Sequence, residues 1–405
     1  MTSAMPEISN LQPLPYHTAL ADYLKLHEPE VWRWESGRDM QQEQREALRL
    51  ELLRDSYRIA AEAHPDVHAC LQKAMEALDI HASVTLYQSS AVESNASLVF
   101  VPGEIHIILH GRLLEHMSSA EMTAIFGHEL AHYVLWTRDK GEFHTVERVL
   151  RNAIETDYEQ HSLRESYRRY LLHTELFADR GSALAVGAVE PAIAALIKTH
   201  TGISNVDAKA YLQQAQEIEA AEKNKSTGYS HPDAYLRARA LVQWWNGEPT
   251  VDQWIAQQLN GGFELEALDL LQQKQMSSMI RGFLTGFLRD TEFLNDAVTA
   301  QMRYLFPDWN PAEAVTSIEE LMQIKFDRGL KRVFNALMLD LCLIDPDQQD
   351  AMLQHAVKYS CELDCIEDMA INLRRDAGLT KREIDRMVSR IKEKASGLAQ
   401  KAGAA

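Results

Sequence analysis

A histidine, a glutamate and a second histidine stand close together in the sequence GHELAH, residues 127–132, an H-E-x-x-H motif. The apolar residues around it predict a helix from Glu121 to about Trp136, and side chains four apart on a helix share one face. His128 and His132 can therefore bind one tetrahedral zinc ion. Glu129, beside the first of them, can take a proton from a metal-activated water. The motif thus predicts a hydrolytic metal site.

A catalytic zinc held by two histidines normally takes a third protein ligand, often a glutamate on another helix. Glu175 suits this role, because the segment HTELFADRGSA, residues 173–183, has the apolar and small residues of a packed helix. Asp179, one turn later on the same face, could accept the free N–H of a metal-binding imidazole. Without these neighbouring residues, we would interpret Glu175 and Asp179 as a pair of solvent-exposed acids on a helix surface. The rival ligands stand in a charge-rich segment that looks solvated: Glu142, Glu147, Glu155, Glu159 and Glu165.

Helices and short strands must position these residues. Apolar residues recur at helical spacing over about 41–79, with a break at His64-Pro65. A period of two over 83–87, 98–101 and 105–109 predicts strands, and Pro102-Gly103 predicts a turn that joins the last two into a hairpin. Ser118, three residues before Glu121, predicts a capping box at the start of the motif's helix. From there to the C terminus the pattern is helical.

Several motifs follow one another in a defined order. They are Asn95-Ala96 at the entry to the hairpin, GHELAH, ELFADR from Glu175, and Ser230-His231-Pro232 with Arg237 six residues after the histidine. In this order they resemble the gluzincin family of HtpX-like and CAAX-prenyl-protease-like zinc metallopeptidases, over about residues 64–245.

The resemblance implies a role for each matching residue. His128, His132 and Glu175 would be the zinc ligands. Glu129 would be the general base. Asp179 would accept a hydrogen bond from a metal-binding imidazole and so hold that ligand in place. Asn95 and Ala96 would lie on an edge strand that receives the substrate backbone, with His231 and Arg237 near the cleft. An edge strand offers unpaired N–H and C=O groups to which an extended peptide can add.

The imidazole of His231 suits a specific chemical task in such a cleft. It could donate a hydrogen bond to the oxyanion that forms as water attacks the scissile carbonyl, a contact typically worth about 3 kcal/mol. Tyr229 and Tyr235 are alternative donors. The structural interpretation is that His231-Pro232 only starts a helix, and that Arg237 only ties this helix to a carboxylate.

Two features depart from the family pattern. Many members are embedded in membranes, but the most apolar stretch here, residues 183–197, is about 15 residues long and is interrupted by Glu190 and Pro191, too short to cross a bilayer. We therefore expect no membrane insertion. The segment Thr137–Leu172 is long and charged. It would be either a lid over the cleft or a solvated helical excursion, and we favour the excursion.

These patterns predict an α+β, predominantly helical fold with a small sheet beside the helix of the motif. Residues 1–63 would form an N-terminal helical extension and 64–250 a metallopeptidase domain that ends near the turn at 246–249. Residues 263–395 would form an all-helical domain with a regulatory or substrate-recruiting role, followed by a tail over 396–405. Around Asp345-Pro346-Asp347 this region resembles TerB-like helical domains. These acids could hold a divalent cation, but we favour helix capping.

Composition limits the partners and the compartment. The 405 residues include 41 Lys and Arg against 59 Asp and Glu, a net charge of −18, which repels nucleic acid and anionic membrane surfaces. Four cysteines are too few for a disulfide framework and favour a reducing cytoplasm: Cys70, Cys342, Cys361 and Cys365. The last two stand four apart but lack two further ligands at zinc-site spacing, so we expect buried free thiols.

We therefore expect a zinc-dependent metalloendopeptidase with one Zn²⁺ per chain, which hydrolyses peptide bonds of a protein or peptide substrate through a metal-activated water. One alternative is an interaction or sensor protein with a structural or idle zinc site, in which residues 263–395 bind a regulatory partner or a second copy. Another is a zinc hydrolase acting on something other than a peptide. The predicted edge strand argues against the latter, because a small substrate needs no strand template.

Overall fold

The computed structural model describes residues 6–37, 42–101, 103–156, 161–221, 228, 230–260, 263–289, 291–324 and 328–402. The chain divides into two compact units, Met1–Gly261 and Gly262–Ala405. The strands, all in the first unit, are β1 (Ser56–Arg58), β2 (Ser83–Ser89), β3 (Asn95–Val101) and β4 (Glu104–His110).

The helices of the first unit are α1 (Pro15–His27), α2 (Pro29–Ser36), α3 (Gln42–Asp55), α4 (Pro65–Ala77), α5 (Leu113–His116), α6 (Ser119–Thr137), α7 (Glu142–Thr156), α8 (His161–Val186), α9 (Val189–Thr201), α10 (Ala208–Ala221), α11 (Ala234–Trp245) and α12 (Val251–Asn260). Those of the second unit are α13 (Leu270–Phe287), α14 (Asp296–Leu305), α15 (Ile318–Met322), α16 (Arg328–Cys342), α17 (Gln349–Glu362), α18 (Ile366–Asp376) and α19 (Lys381–Ala402). The predicted class, α+β and predominantly helical, is confirmed.

The four strands form one sheet in the order β1-β2-β4-β3. β3 and β4 pair antiparallel with Val101 opposite Glu104, which confirms the predicted hairpin, although Pro102 lies outside the described residues. β2 runs parallel to β4, and β1 adds antiparallel to β2. The sequence did not indicate β1, because three residues are too few to show a period of two. β3, last in the order, is an edge strand.

The helix α6 lies at the centre of the first unit. Its capping box is the predicted one: the Glu121 N–H donates to Ser118 Oγ at 3.4 Å, and the Glu121 carboxylate accepts from the Ser118 N–H at 2.7 Å. Lys198 of α9 donates to the same carboxylate at 2.8 Å. The helix is apolar around most of its circumference, as expected of a helix surrounded by others, and its buried residues include Met122, Ala124, Phe126, Leu130 and Leu135.

The helices α6 and α8 approach each other through glycine. A Cβ added at Gly127 would lie 2.3 Å from Ala185 Cβ, and one added at Gly181 would lie 2.4 Å from Ala131 Cβ. Only a residue without a Cβ allows two backbones to come so near. Ser182 Oγ also donates to a carbonyl of α6 at 2.8 Å. These contacts set the spacing of the two helices that carry the predicted metal ligands.

The core of the first unit extends beyond the predicted domain borders. Leu11 and Leu14, in the proposed N-terminal extension, are buried in the same core as the inner face of the sheet. At the other end α12 contributes buried Val251, Ile255 and Leu259 to that core. The described residues before position 64 thus contribute to the core of the first unit, which continues to Gly261, eleven residues beyond position 250.

The segment Thr137–Leu172 is not a solvated excursion, so this expectation was wrong. Its described residues, which leave out 157–160, form a 3₁₀ turn at Arg138–Gly141, then α7 and the first part of α8. One face of α7 is buried in the core, with Phe143, Val146, Val149 and Leu150. Most charged residues of the segment lie on the remaining faces. Because they are so numerous, the helical spacing of the apolar residues was not recognised in the sequence.

The helices of the second unit enclose an apolar core of large side chains, which include Phe283, Phe287, Phe334, Met338, Met352 and Met369. Asp345 accepts hydrogen bonds from Asn295 Nδ2 at 2.6 Å and from the Asp347 N–H at 2.9 Å. The next helix, α17, begins only after Gln348, whose side chain makes no capping bond. The interpretation of Asp345 and Asp347 as helix caps was therefore wrong. Asp345 instead closes a turn and holds the residue that caps α14.

Two further features of the chain concern membranes and thiols. Within the ranges described above, no helix combines the length and the apolar character that a bilayer crossing requires. Cys70, Cys342 and Cys365 are buried free thiols, and Cys361 is a half-buried one.

Candidate metal centre

Three side chains from α6 and α8 converge inside the first unit. His128 and His132 share one face of α6, and Glu175 faces them from α8, with one ligand atom of each lying within 4.8 Å of the others. His128 Nε2 is 3.4 Å from Glu175 Oε2, and His132 Nε2 is 3.7 Å from Glu175 Oε1. Ligand atoms about 2.0–2.1 Å from a tetrahedral zinc ion lie about 3.3–3.4 Å apart. The three residues therefore fit such an ion.

The centre concentrates negative charge away from solvent. Glu129, Glu175 and Asp179 are each at least nine-tenths buried, and Arg237 is buried among them. With both imidazoles neutral, as metal binding requires, three ionised carboxylates against one guanidinium would leave two negative charges in the interior. Buried charges are stable only when they are paired or bound to a metal, so the charge balance favours a divalent cation at this position.

The two histidines are in different electrostatic environments. Burial lowers the pKa of His128, but its bonds to Asp179 and Glu175 outweigh burial and raise the pKa to about 10. Burial lowers the pKa of His132 to about 4, against the opposing charge of Glu175. His128 Nδ1 lies 3.3 Å from Asp179 Oδ1. A carboxylate in this place fixes the orientation of an imidazole and leaves Nε2 for a metal.

Glu129 lies between the candidate metal ligands and the edge strand. Burial, to which the Glu175 carboxylate adds, raises its pKa to about 7, although the charge of His128 opposes this. The Leu98 N–H of β3 donates to the Glu129 carboxylate. A carboxyl with a pKa near 7 is suited to act as a general base at neutral pH.

Arg237 of α11 ties the two carboxylates of α8 together. Its Nε and Nη2 donate to the two oxygens of Asp179 at 2.8 and 2.7 Å, and Nη2 lies 3.2 Å from Glu175 Oε2. Burial alone would raise the pKa of both carboxyls, but the charge of Arg237 outweighs it and lowers the pKa of each. Arg237 thus keeps both groups ionised without exposing them to water.

His231 approaches the centre from the loop before α11. Its Nε2 is 3.6 Å from Glu175 Oε1, and its side chain is 55% exposed. Ser230 Oγ lies 2.8 Å from Nδ1, and when this hydroxyl donates to Nδ1, Nε2 carries the hydrogen. Of the alternative donors, Tyr235 packs against the core and does not line the cavity described next, and Tyr229 lies outside the described residues.

The centre opens into a cavity of about 1070 Å³. Asn95, Ala96 and Leu98 of β3 line it together with the residues of the centre, and α7 adds Glu147. Because β3 is an edge strand, the strand that borders the cavity can accept another strand along its outer side. Because Glu147 belongs to the charged segment between α6 and α8, this segment also supplies part of the cavity wall.

The rival ligands have other surroundings. Glu147, although buried and at the cavity, binds Arg151. Glu142 binds Lys25, and Glu165 binds Arg168 and Arg169. Glu155 is exposed, and Glu159 lies outside the described residues.

Sequence reasoning missed the glycines that bring the helices together. Gly127 with Ala131, and Gly181 with Ala185, each place two small residues four apart, which on a helix is one small-residue stripe. That spacing was a usable signal. Sequence reasoning also missed Tyr16 and His17, which contact the two residues that precede Glu175 in α8. No local pattern marks them, because their partners are more than 150 residues away.

Comparisons with known proteins point to the same part of the chain. Residues 61–245 match the family described as Peptidase family M48. Among known proteins, the chain is similar to "Plastoglobule-localized metallopeptidase 48, chloroplastic" of Arabidopsis thaliana, with 27% identity over 197 residues that cover 44% of this chain and 56% of that protein. The chain thus aligns with little more than half the length of this relative. No solved structure gives a significant match.

Proposed function

We propose that the chain is a zinc-dependent endopeptidase acting on protein or peptide substrates, because residues 61–245 match peptidase family M48. The observation that carries this proposal is the group of His128, His132 and Glu175, whose ligand atoms have the spacing of a tetrahedral site. Two imidazoles and a carboxylate form a donor set typical of catalytic zinc.

The surrounding residues have separate tasks. When bound, zinc polarises the scissile carbonyl and activates a water molecule. Glu129 accepts the proton of the attacking water and can deliver it to the leaving amine. His231 donates from Nε2 to the developing oxyanion. Asp179 fixes the ring of His128, and Arg237 holds Asp179 in place.

The edge strand supports cleavage within a chain rather than at its end. Leu98, whose N–H binds Glu129, is the central residue of β3, which runs from Asn95 to Val101. A peptide paired with β3 therefore extends to both sides of the bond that Glu129 faces. Main-chain pairing provides affinity with little dependence on side-chain sequence. In this proposal Asn95 and Ala96 bind the substrate backbone on one side of the scissile bond.

The exchange Glu129→Gln tests the assignment of the general base. It removes the proton acceptor but no metal ligand, so cleavage of casein should fall at least about 100-fold, while zinc content stays at one per chain. The control is Glu190→Gln, at an exposed position in the first turn of α9, which should cleave at the wild-type rate. Wild-type cleavage by Glu129→Gln would contradict the mechanism.

We also propose a cytoplasmic location. It is supported by the four cysteines, all of them free thiols, which suit a reducing compartment. Fractionation of the native host cell tests it, with recovery in a membrane or organelle fraction as the contrary result. A regulatory or substrate-recruiting role for residues 263–395 stays a prediction.

A further inference from the structure

The helix that carries Glu175 is held from behind by residues outside the family-matched segment. Tyr16 and His17 are neighbours in α1. They contact His173 and Thr174, the two residues that immediately precede Glu175 in α8. The ring of Tyr16 stacks on that of His173 with the centroids 4.5 Å apart and the planes 10° from parallel. His17 Nε2 lies 3.2 Å from Thr174 Oγ1.

His17 accepts a hydrogen bond at one ring nitrogen and donates one from the other. The Leu14 N–H donates to His17 Nδ1 at 3.1 Å, so Nε2 carries the hydrogen and donates to Thr174 Oγ1. That hydroxyl in turn donates to the carbonyl of Tyr170 at 3.0 Å. His17 is fully buried, and burial lowers its pKa well below the usual value, which keeps the ring neutral. The chain of bonds thus links the start of α1 to the Tyr170 carbonyl of α8, five residues before Glu175.

The helix α1 has its own anchors in the first unit, so it can act as a support. Leu20 and Leu24 are buried in its packed face, and α1 contacts both α7 and α8. Lys25 binds Glu142 of α7 at 2.6 Å. The carbonyl of Leu11, just before α1, accepts from Arg138 at 2.6 Å. α1 and the residues just before it are therefore tied to the turn before α7, to α7 and to α8.

From these contacts we propose that Tyr16 and His17 are positioning residues for the metal ligand Glu175. They hold His173 and Thr174 and so fix the rotation of α8 about its axis, and with it the direction of the Glu175 carboxylate. Metal–ligand distances tolerate about 0.2 Å, so a small rotation matters. Loss of contacts behind metal ligands typically costs about 10–100-fold in metal affinity. Because His17 acts through Thr174, we expect the lower end, about tenfold.

This inference rests on the proposed role of Glu175, and zinc binding by the full chain tests it. The dissociation constant is measured with Zn²⁺ alone, by competition with a chelator, at a temperature where every variant is folded. His17→Asn keeps an acceptor for the Leu14 N–H but cannot reach Thr174, so zinc binding should weaken about tenfold. His17→Gln places a donor near Thr174 and should stay within about threefold of wild type.

Two further variants separate positioning from stability. Leu259→Ala destabilises the first unit by leaving a cavity at α12 and should leave zinc affinity unchanged. Thr174→Val removes the acceptor at nearly constant volume and should weaken zinc binding as much as His17→Asn, which keeps the test open if His17→Asn does not fold. Because both changes break the bond between His17 and Thr174, the double variant should lose no more zinc affinity than Thr174→Val alone.

The contrary results are distinct. Wild-type zinc affinity in His17→Asn and Thr174→Val, or an equal loss in Leu259→Ala, would overturn the positioning role. Glu175→Gln is the reference for the site itself. If it binds zinc as tightly as wild type, the proposed metal centre fails and this inference with it. If it binds weakly while the His17 and Thr174 variants bind normally, only the positioning role fails.

Discussion

Replacing Gly181 by alanine tests whether the close approach of α6 and α8 builds the metal centre. The added Cβ would lie 2.4 Å from Ala131 Cβ and 3.1 Å from the Gly127 carbonyl oxygen. Carbon atoms in contact normally stay about 3.5–4.0 Å apart, so the helices must separate locally by about 1 Å. Such a shift exceeds the tolerance of a metal site, about 0.2 Å. Gly181→Ala should therefore weaken zinc binding as well as the fold.

Two opposing contributions decide the size of the effect on stability. In an unconstrained helix, Gly→Ala stabilises by about 0.5–1 kcal/mol. Overpacking a core costs about 1–3 kcal/mol, and here the obstacle is a short, rigid methyl group on another helix. We expect a net loss of about 1–2 kcal/mol in the free energy of unfolding. In the double variant Gly181→Ala/Ala131→Gly the helix propensities cancel and the closest clash disappears, so most of the loss should be recovered.

The assay is urea unfolding of the metal-free full chain, together with a zinc dissociation constant for each variant. Gly181→Ala should lower the unfolding midpoint and weaken zinc binding by about tenfold or more, and the double variant should restore both properties. Helix propensity alone predicts the opposite result for the single variant. If Gly181→Ala is as stable as wild type or more stable, the close contact does not constrain the two helices and the reasoning is wrong.

Two other outcomes concern the rest of the first unit. Burial raises the pKa of Glu121, but bonds from Lys198 and Ser118 outweigh burial and lower it. Lys198→Met should therefore cost about 2–3 kcal/mol of unfolding free energy at pH 7, and this difference from wild type should shrink as pH falls below about 4. A pH-independent difference in urea unfolding would contradict this. A chain ending at Asn260 should fold and bind zinc, whereas one ending at Trp245 loses the three buried side chains of α12, about 1.5–3 kcal/mol each. Equal thermal stability of the two would contradict the placement of α12 in the core.

The features that the sequence predicted well are those written in neighbouring residues. The capping box of α6 needs only Ser118 and Glu121, and the hairpin of β3 and β4 needs only alternating residues around a turn. The features that it missed depend on distant partners. β1 exists because β2 is beside it, and the contacts of His17 exist because α8 packs against α1. Local patterns carry no information on such partners, so the support behind the centre could not be predicted.

Arg237 shows why the sequence left a choice between a structural and a functional role. Its guanidinium binds Asp179 and lies against Glu175, and it is itself buried. Without this charge, burial would favour the protonated form of both carboxyls, and a protonated carboxyl is a poor metal ligand. The contact that stabilises the packing of α11 on α8 is therefore also the one that keeps Glu175 ionised. In a buried centre of this kind, the electrostatic support of the fold and the preparation of the metal site are the same interaction.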